Sequence, residues 1–129
     1  MEIHPRRPTM RGPAQWFTGD VWIDPVVQAK PPSPLAVSAV HFTPGARTAW
    51  HSHARGQTLY VTEGEGNIQS RGEPIATIRS GDVIHRPADE WHWHGATPVQ
   101  FMTHLSMTEG AAEWGEHVTD AEYHGGSTS

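Results

Sequence analysis

"WHSHARGQTLYV", Trp50 to Val61, sets two histidines on either side of one serine and follows them with a lone glutamine and a run of β-formers. In an extended strand, alternate side chains leave on the same face and sit roughly 7 Å apart along the chain, so His51 and His53 can converge on one object. A helix would splay them. The neighbours Thr48, Trp50, Thr58, Leu59, Tyr60, Val61 and Thr62 are β-branched or aromatic types that suit a pleated, half-buried surface. The stretch therefore reads as strand, and the object the two imidazoles share is a candidate metal ion.

Working outward, "EWHWHG" repeats the arrangement, with His92 and His94 on one face and Trp91 and Trp93 on the other. Ten histidines are present in all. His41 and His104 fall on further candidate core strands, while His4, His85, His117 and His124 lie near termini or turns and read as incidental. From Ala36 onward, short apolar segments alternate with turn signals: "AVSAVHFT" then "PGA", "TLYVT" then "EGEG", "NIQ" then "SRGEP", "IATI" then "RSGD", "VIHRP" then "ADE", and "VQFMTHLSM" last. This is a meander of antiparallel strands, not a series of βαβ units. The first thirty-five residues read as an arm with one short strand at Val21 to Ile23, and residues 36–129 as the main body of a single domain. Pro31, Pro32 and Pro34 forbid a helix between them. Only "TDAEYHGG" resembles a helix, with Thr119 as N-cap and Glu122 in the capping-box place.

Composition removes several classes. The chain of 129 residues has no cysteine, which excludes disulfides, thiolate-bound zinc and thiol nucleophiles and is compatible with a reducing compartment. A net charge of -5 argues against a nucleic-acid surface, and Arg6, Arg7 and Arg11 read as a solvated arm. No apolar run approaches the ~20 residues of a membrane span, and "MEIHPRRPTMRG" is not followed by the apolar core of a signal peptide. These features lead to the expectation of a cytoplasmic protein with a small-molecule substrate and no nucleic-acid or membrane partner. Six tryptophans and strands apolar on both faces add the expectation of a homodimer or homotetramer.

The two histidine pairs sit in a wider frame. Gly45, His51, His53, Gln57 and Gly64 form one part, and Gly81, Pro87 and His92 the other. Their spacing resembles the two-part signature of the cupin superfamily over roughly Gly45 to Thr97. That resemblance implies an all-β fold, a cupin-type antiparallel β-barrel or jelly roll, here with a short C-terminal helix. It also implies that His51, His53 and His92 are metal ligands. Gln57 falls where most metal-binding members place a glutamate, and Asp89 stands at a usual glycine position, which aspartate tolerates in a turn. Three neutral imidazoles and a neutral amide oxygen leave the full charge on a divalent ion, which lowers affinity and raises Lewis acidity. Manganese or iron suits such mixed donors, and zinc, nickel or cobalt are not excluded by them.

"GPAQWFTGDVWIDP", "PGARTAWHSH", "GQTL", "HWHGAT", "MTHL" and "EHVTD" also resemble the small bacterial cupins that act as manganese-dependent hydroxynitrile lyases. The activity this implies is reversible cleavage of a cyanohydrin such as mandelonitrile into an aldehyde and hydrogen cyanide. Such a reaction needs a base and an electrophile. His104 is the expected base, since Met102, His104, Ser106 and Thr108 share one strand face, and it would titrate near ~6.5 unless its surroundings shift it. His94 is expected to orient substrate, carry a second proton role or support the ligands. Ser38, Val40 and Thr48 are expected to line the pocket, with Thr48 donating a hydrogen bond to the substrate oxygen. The alternatives are a cupin dioxygenase that cleaves a carbon–carbon bond with O₂, and a small-molecule-binding cupin without turnover.

Overall fold

The computed structural model describes residues 1–126, so the last three residues of the expected 36–129 body lie outside the described part. Twelve strands and one short helix follow in order: β1 Met10–Arg11, β2 Phe17–Thr18, β3 Val21–Val27, β4 Leu35–Phe42, β5 Arg47–Thr48, β6 His51–His53, β7 Gln57–Ser70, β8 Ala76–Arg79, β9 Val83–Arg86, β10 His92–Ala96, β11 Met102–Glu109, β12 Ala112–Trp114 and α1 Asp120–Tyr123. Every pairing is antiparallel. One half of the curled sheet runs β1-β3-β4-β11-β7-β9, and the other runs β8-β7-β10-β5-β2, with β6 between β10 and β12.

The strand β7 belongs to both halves, and it corrects the reading of "EGEG" as a turn. Glycines there do not end the strand; they let it change sheets. Thr103 pairs with Glu63 but His104 pairs with Val61, so Thr62 is an extra residue on β7. Because side chains alternate with period two, one extra residue exchanges the faces. Gln57, Leu59 and Val61 point inward before it, and Ile68 points inward after it. Gly64 completes the corner with φ 80°, a conformation that side chains with a Cβ seldom adopt.

The N-terminal segment is also more ordered into the sheet than its composition suggests. In place of a three-residue strand, β3 spans seven residues and takes β1 on one side and β4 on the other. Pro25 is tolerated because the register shifts between Pro25 and Val27, where the ladder does not need its missing amide. At the other end α1 is one turn long, closed by the expected capping box between Thr119 and Glu122. Among the described residues, no helix is long and apolar enough to cross a membrane.

Two clusters hold the barrel. Phe17, Val21, Val40, Phe42, Leu59, Val61, Ile68 and Met102 fill part of the interior. Trp50, Trp93, Val118 and Tyr123 pack on the outside of the second half, where the C-terminal segment covers it. There Tyr123 donates to Ala96 O at 2.6 Å, and Arg47 lies over the Tyr123 ring while donating to Val118 O and Asp120. Of the six tryptophans, Trp22 alone is exposed, so most of the tryptophan surface that suggested an interface is taken up within the chain.

The corner in β7 can be tested by contrast with another glycine of similar backbone angle. A Cβ at Gly64 would lie 1.9 Å from Phe101 O, whereas one at Gly45 (φ 82°) meets nothing within 4 Å. Gly64→Ala should cost on the order of 3 kcal/mol in urea unfolding, and Gly45→Ala only about 1 kcal/mol, the backbone strain alone. Equal losses would show that the corner is not tightly packed.

Candidate metal centre

The short strand β6 pairs with β10 so that His51 and His92 are direct partners, which brings both motifs onto one inner surface. The nitrogen atoms of His51, His53 and His92 that could serve as ligands all lie within 4.8 Å of one another. All three side chains are buried. Two are fixed by the backbone: His51 Nδ1–H donates to Ala49 O at 2.8 Å, and His92 Nδ1–H donates to Glu90 O at 2.9 Å. Each bond settles the tautomer and leaves Nε2 as a bare lone pair. His53 has no hydrogen-bond partner at either ring nitrogen among the described residues.

Burial sets the charge of these rings. It lowers His51 to about 3, His53 to about 4 and His92 to about 2, overriding the backbone bonds that favour the charged forms of His51 and His92. Near neutral pH the three imidazoles are therefore neutral donors.

Gln57 closes the set. Its Oε1 lies 3.0 Å from His92 Nε2, and its Nε2 donates to Ser106 Oγ at 2.9 Å. Since His92 gives its only proton to Glu90 O, neither atom of the Gln57–His92 contact carries a hydrogen. Two acceptors then face each other inside the barrel, which is unfavourable unless a cation lies beside both. Donors ~2.1 Å from one octahedral ion and at right angles around it are separated by about 3 Å. The contact, the paired tautomers and the unpartnered His53 all fit a divalent transition ion held by His51, His53, Gln57 and His92.

The ligands have a supporting shell that composition does not reveal. Arg86, 4% exposed, bonds Glu90 Oε1 at 2.9 Å and Ser70 Oγ at 2.6 Å, and so anchors the residue whose carbonyl holds His92. Its positive charge also helps depress the proton affinity of His51 and His92. On the other side Trp114 stacks on His51 with centroids 4.5 Å apart and is itself stacked on Trp16 at 5.1 Å. No sequence signal marked a strand at Ala112–Trp114, and Trp114 comes to the site only because β12 returns beside β6.

A cavity of about 190 Å³ opens on this centre, lined by Ser38, Val40, Thr48, His94, His104 and Ser106 together with Ile23, Phe17, Trp114 and three of the four donors. All the expected pocket residues are present. His94 Nδ1 and His104 Nε2 lie 3.0 Å apart, a hydrogen bond in which one ring donates and the other accepts. Both rings are buried, and burial lowers His104 to about 4 and His94 well below its ordinary value. His94 Nε2 has no hydrogen-bond partner among the described residues. The Thr48 hydroxyl accepts from the His94 backbone amide at 3.2 Å, which leaves its own proton to donate. His41 takes no part: it bonds Asp24 and Thr103 on the outer face.

Comparison with known proteins agrees with the fold. Residues 38–104 match the family model described as a cupin domain. A protein named (R)-mandelonitrile lyase from Granulicella tundricola is 51% identical over 117 residues, covering 88% of this chain and 89% of that one. Among solved structures, a cupin-like protein of Thermotoga maritima is 40% identical, covers 95% of both chains and superposes with a TM-score of 0.87. An acetylacetone dioxygenase from Acinetobacter johnsonii shares the fold, with a TM-score of 0.71 and 15% identity over 93% of this chain and 80% of that one.

Two outcomes follow for the centre. His92→Ala should lose most bound metal by elemental analysis; unchanged occupancy would contradict the ligand set. In metal-free protein, folded His53 and His104 bind protons only near about 4, below the ordinary 6.5, so the unfolded chain binds more protons in that window and stability falls with pH. The melting temperature of metal-free protein should drop by about 10 °C or more between pH 7 and pH 5. A flat profile would mean the imidazoles are not buried as described.

Proposed function

The chain belongs to the cupin family, and from that premise and the chemistry inside its barrel we propose that it is a metal-dependent lyase that reversibly cleaves a cyanohydrin such as mandelonitrile into an aldehyde and hydrogen cyanide. The observation that carries the reading is the buried His94–His104 pair beside four neutral donors in a cavity of about 190 Å³. The cyanohydrin class is suggested by the name of the Granulicella relative, and the small cavity suits a compact substrate.

The ligands would be His51, His53, Gln57 and His92, with manganese as the proposed ion. When bound, the ion supplies Lewis acidity to the substrate oxygen or the departing cyanide, undiminished because no ligand carries charge. The chain supplies the rest. His94 and His104, hydrogen-bonded across 3.0 Å, take up the substrate hydroxyl proton as a unit. Their low proton affinity keeps them neutral, and therefore able to accept, at neutral pH. Thr48, held by the His94 amide, directs its hydroxyl proton toward the substrate oxygen. Ile23, Val40, Phe17 and the edge of Trp114 form the apolar wall and limit water around the leaving group.

His104→Ala should retain its metal and lose 10²–10⁴ in mandelonitrile cleavage, the usual worth of a positioned base. With His104 lowered to about 4, wild-type activity should hold as pH falls through 6.5 and decline nearer pH 4. A fully metallated His104→Ala protein with wild-type turnover would remove His104 from the mechanism.

A further inference from the structure

Resting on the lyase reading, we propose that Ser106 is a catalytic hydrogen-bond donor, and that the Gln57 amide is what turns its hydroxyl proton into the cavity. Ser106 lies on β11 two residues beyond His104, on the same inward face and opposite Ser38 of β4. Its side chain has one hydrogen-bond partner among the described residues: Gln57 Nε2, which donates to Oγ at 2.9 Å. A hydroxyl has one proton to give and two lone pairs. With a lone pair filled by an N–H, the proton of Ser106 has to be given elsewhere, and the side chain borders the cavity.

The direction of that bond is tied to the metal centre. If the amide were reversed, its NH₂ would donate to His92 Nε2 and fill the lone pair a metal needs, while Ser106 would donate to the amide oxygen. The orientation with Oε1 toward His92 and the orientation that frees the Ser106 proton are therefore the same one. A carboxylate at position 57 has no proton to donate near neutral pH, so Ser106 would give its proton to the carboxylate and present none to substrate. This is a second reason for glutamine at position 57, besides leaving the ion its full charge. Two of the hydroxyls lining the cavity then have an amide filling a lone pair: Thr48, bonded by the His94 amide, and Ser106, bonded by the Gln57 side chain. Ser106 serves the end of the substrate held against Gln57, where a fixed donor stabilises charge as it develops.

The test uses manganese-loaded wild type, Ser106→Ala, Ser106→Thr, Gln57→Glu and the double variant Gln57→Glu/Ser106→Ala. Infrared spectra are recorded with isotopically labelled benzaldehyde and, separately, labelled cyanide, the two halves of mandelonitrile. One of the two bands should shift between wild type and Ser106→Ala, stay in place in Ser106→Thr, and shift in Gln57→Glu as it does in Ser106→Ala. Cleavage should fall about 10²-fold in Ser106→Ala at unchanged metal content, the scale set by removing one fixed donor. In the Gln57→Glu background the same substitution should cost less than twofold. Unmoved bands, or losses that multiply in the double variant, would overturn the assignment. Metal loss in Ser106→Ala would do so as well, since Ser106 would then be only a clamp for Gln57. If wild type fails to cleave mandelonitrile, the lyase reading fails, and the infrared bands still decide whether Ser106 donates to a bound ligand.

Discussion

At the centre of the barrel the oxygen of Gln57 faces the bare nitrogen of His92 at 3.0 Å, and the surrounding structure holds the imidazole lone pair where it is. Left to itself, such a contact relaxes: the amide turns over, or the imidazole changes tautomer and donates. The change of tautomer is opposed by the fold: the Glu90 carbonyl takes the His92 proton, and Glu90 is in turn fixed by the buried Arg86 guanidinium. The amide is not locked by its partner, since the Ser106 hydroxyl that accepts from the Gln57 NH₂ would donate to the oxygen of a reversed amide, so a bound ion is what would select this orientation. A divalent ion converts this unfavourable arrangement into a favourable one, which is why the polar centre is an argument for a metal and not simply a set of satisfied core histidines.

The charge state around the ion follows from the same constraint. Four neutral donors and a guanidinium already paired with Glu90 leave a site with no ligand anion, so the ion's charge is available to an incoming or departing anion. Burial keeps every imidazole at the site neutral in the physiological range, including the two that are not donors. With an ion bound as proposed, the centre would pair an electrophile with uncharged imidazoles, in a cavity lined by His94, His104, hydroxyls and an apolar wall. Cleaving a cyanohydrin asks for that combination, since one proton leaves the oxygen while negative charge collects on cyanide.

Much of this was legible in the chain because a β-strand converts spacing into direction. His51 with His53, and His92 with His94, share faces by alternation alone, and the same rule turned His104, Ser106 and Thr108 inward. Asp89, read as a tolerable replacement for a turn glycine, does adopt the left-handed backbone with φ 63°. What could not be read depended on contacts between distant strands. "EGEG" carries the composition of a turn, yet in β7 it bends a continuous strand from one half of the sheet to the other. Trp114 reaches His51 only because β12 comes back beside β6. Arg86 and Glu90 have ordinary surface spacing, and only the fold shows that the guanidinium is buried. The base was expected near the ordinary imidazole value, but enclosure by Phe42 and His94 lowers it well below.

Mandelonitrile cleavage under nitrogen, measured on one preparation before chelation, after chelation, and after restoring manganese, decides whether the barrel works as a metal-dependent lyase. Such a lyase gives benzaldehyde and cyanide in equal amounts without oxygen, loses activity with the metal, and recovers it on the metal's return. Cleavage that persists after the metal is removed, or product that forms only when oxygen is admitted, would contradict this reading.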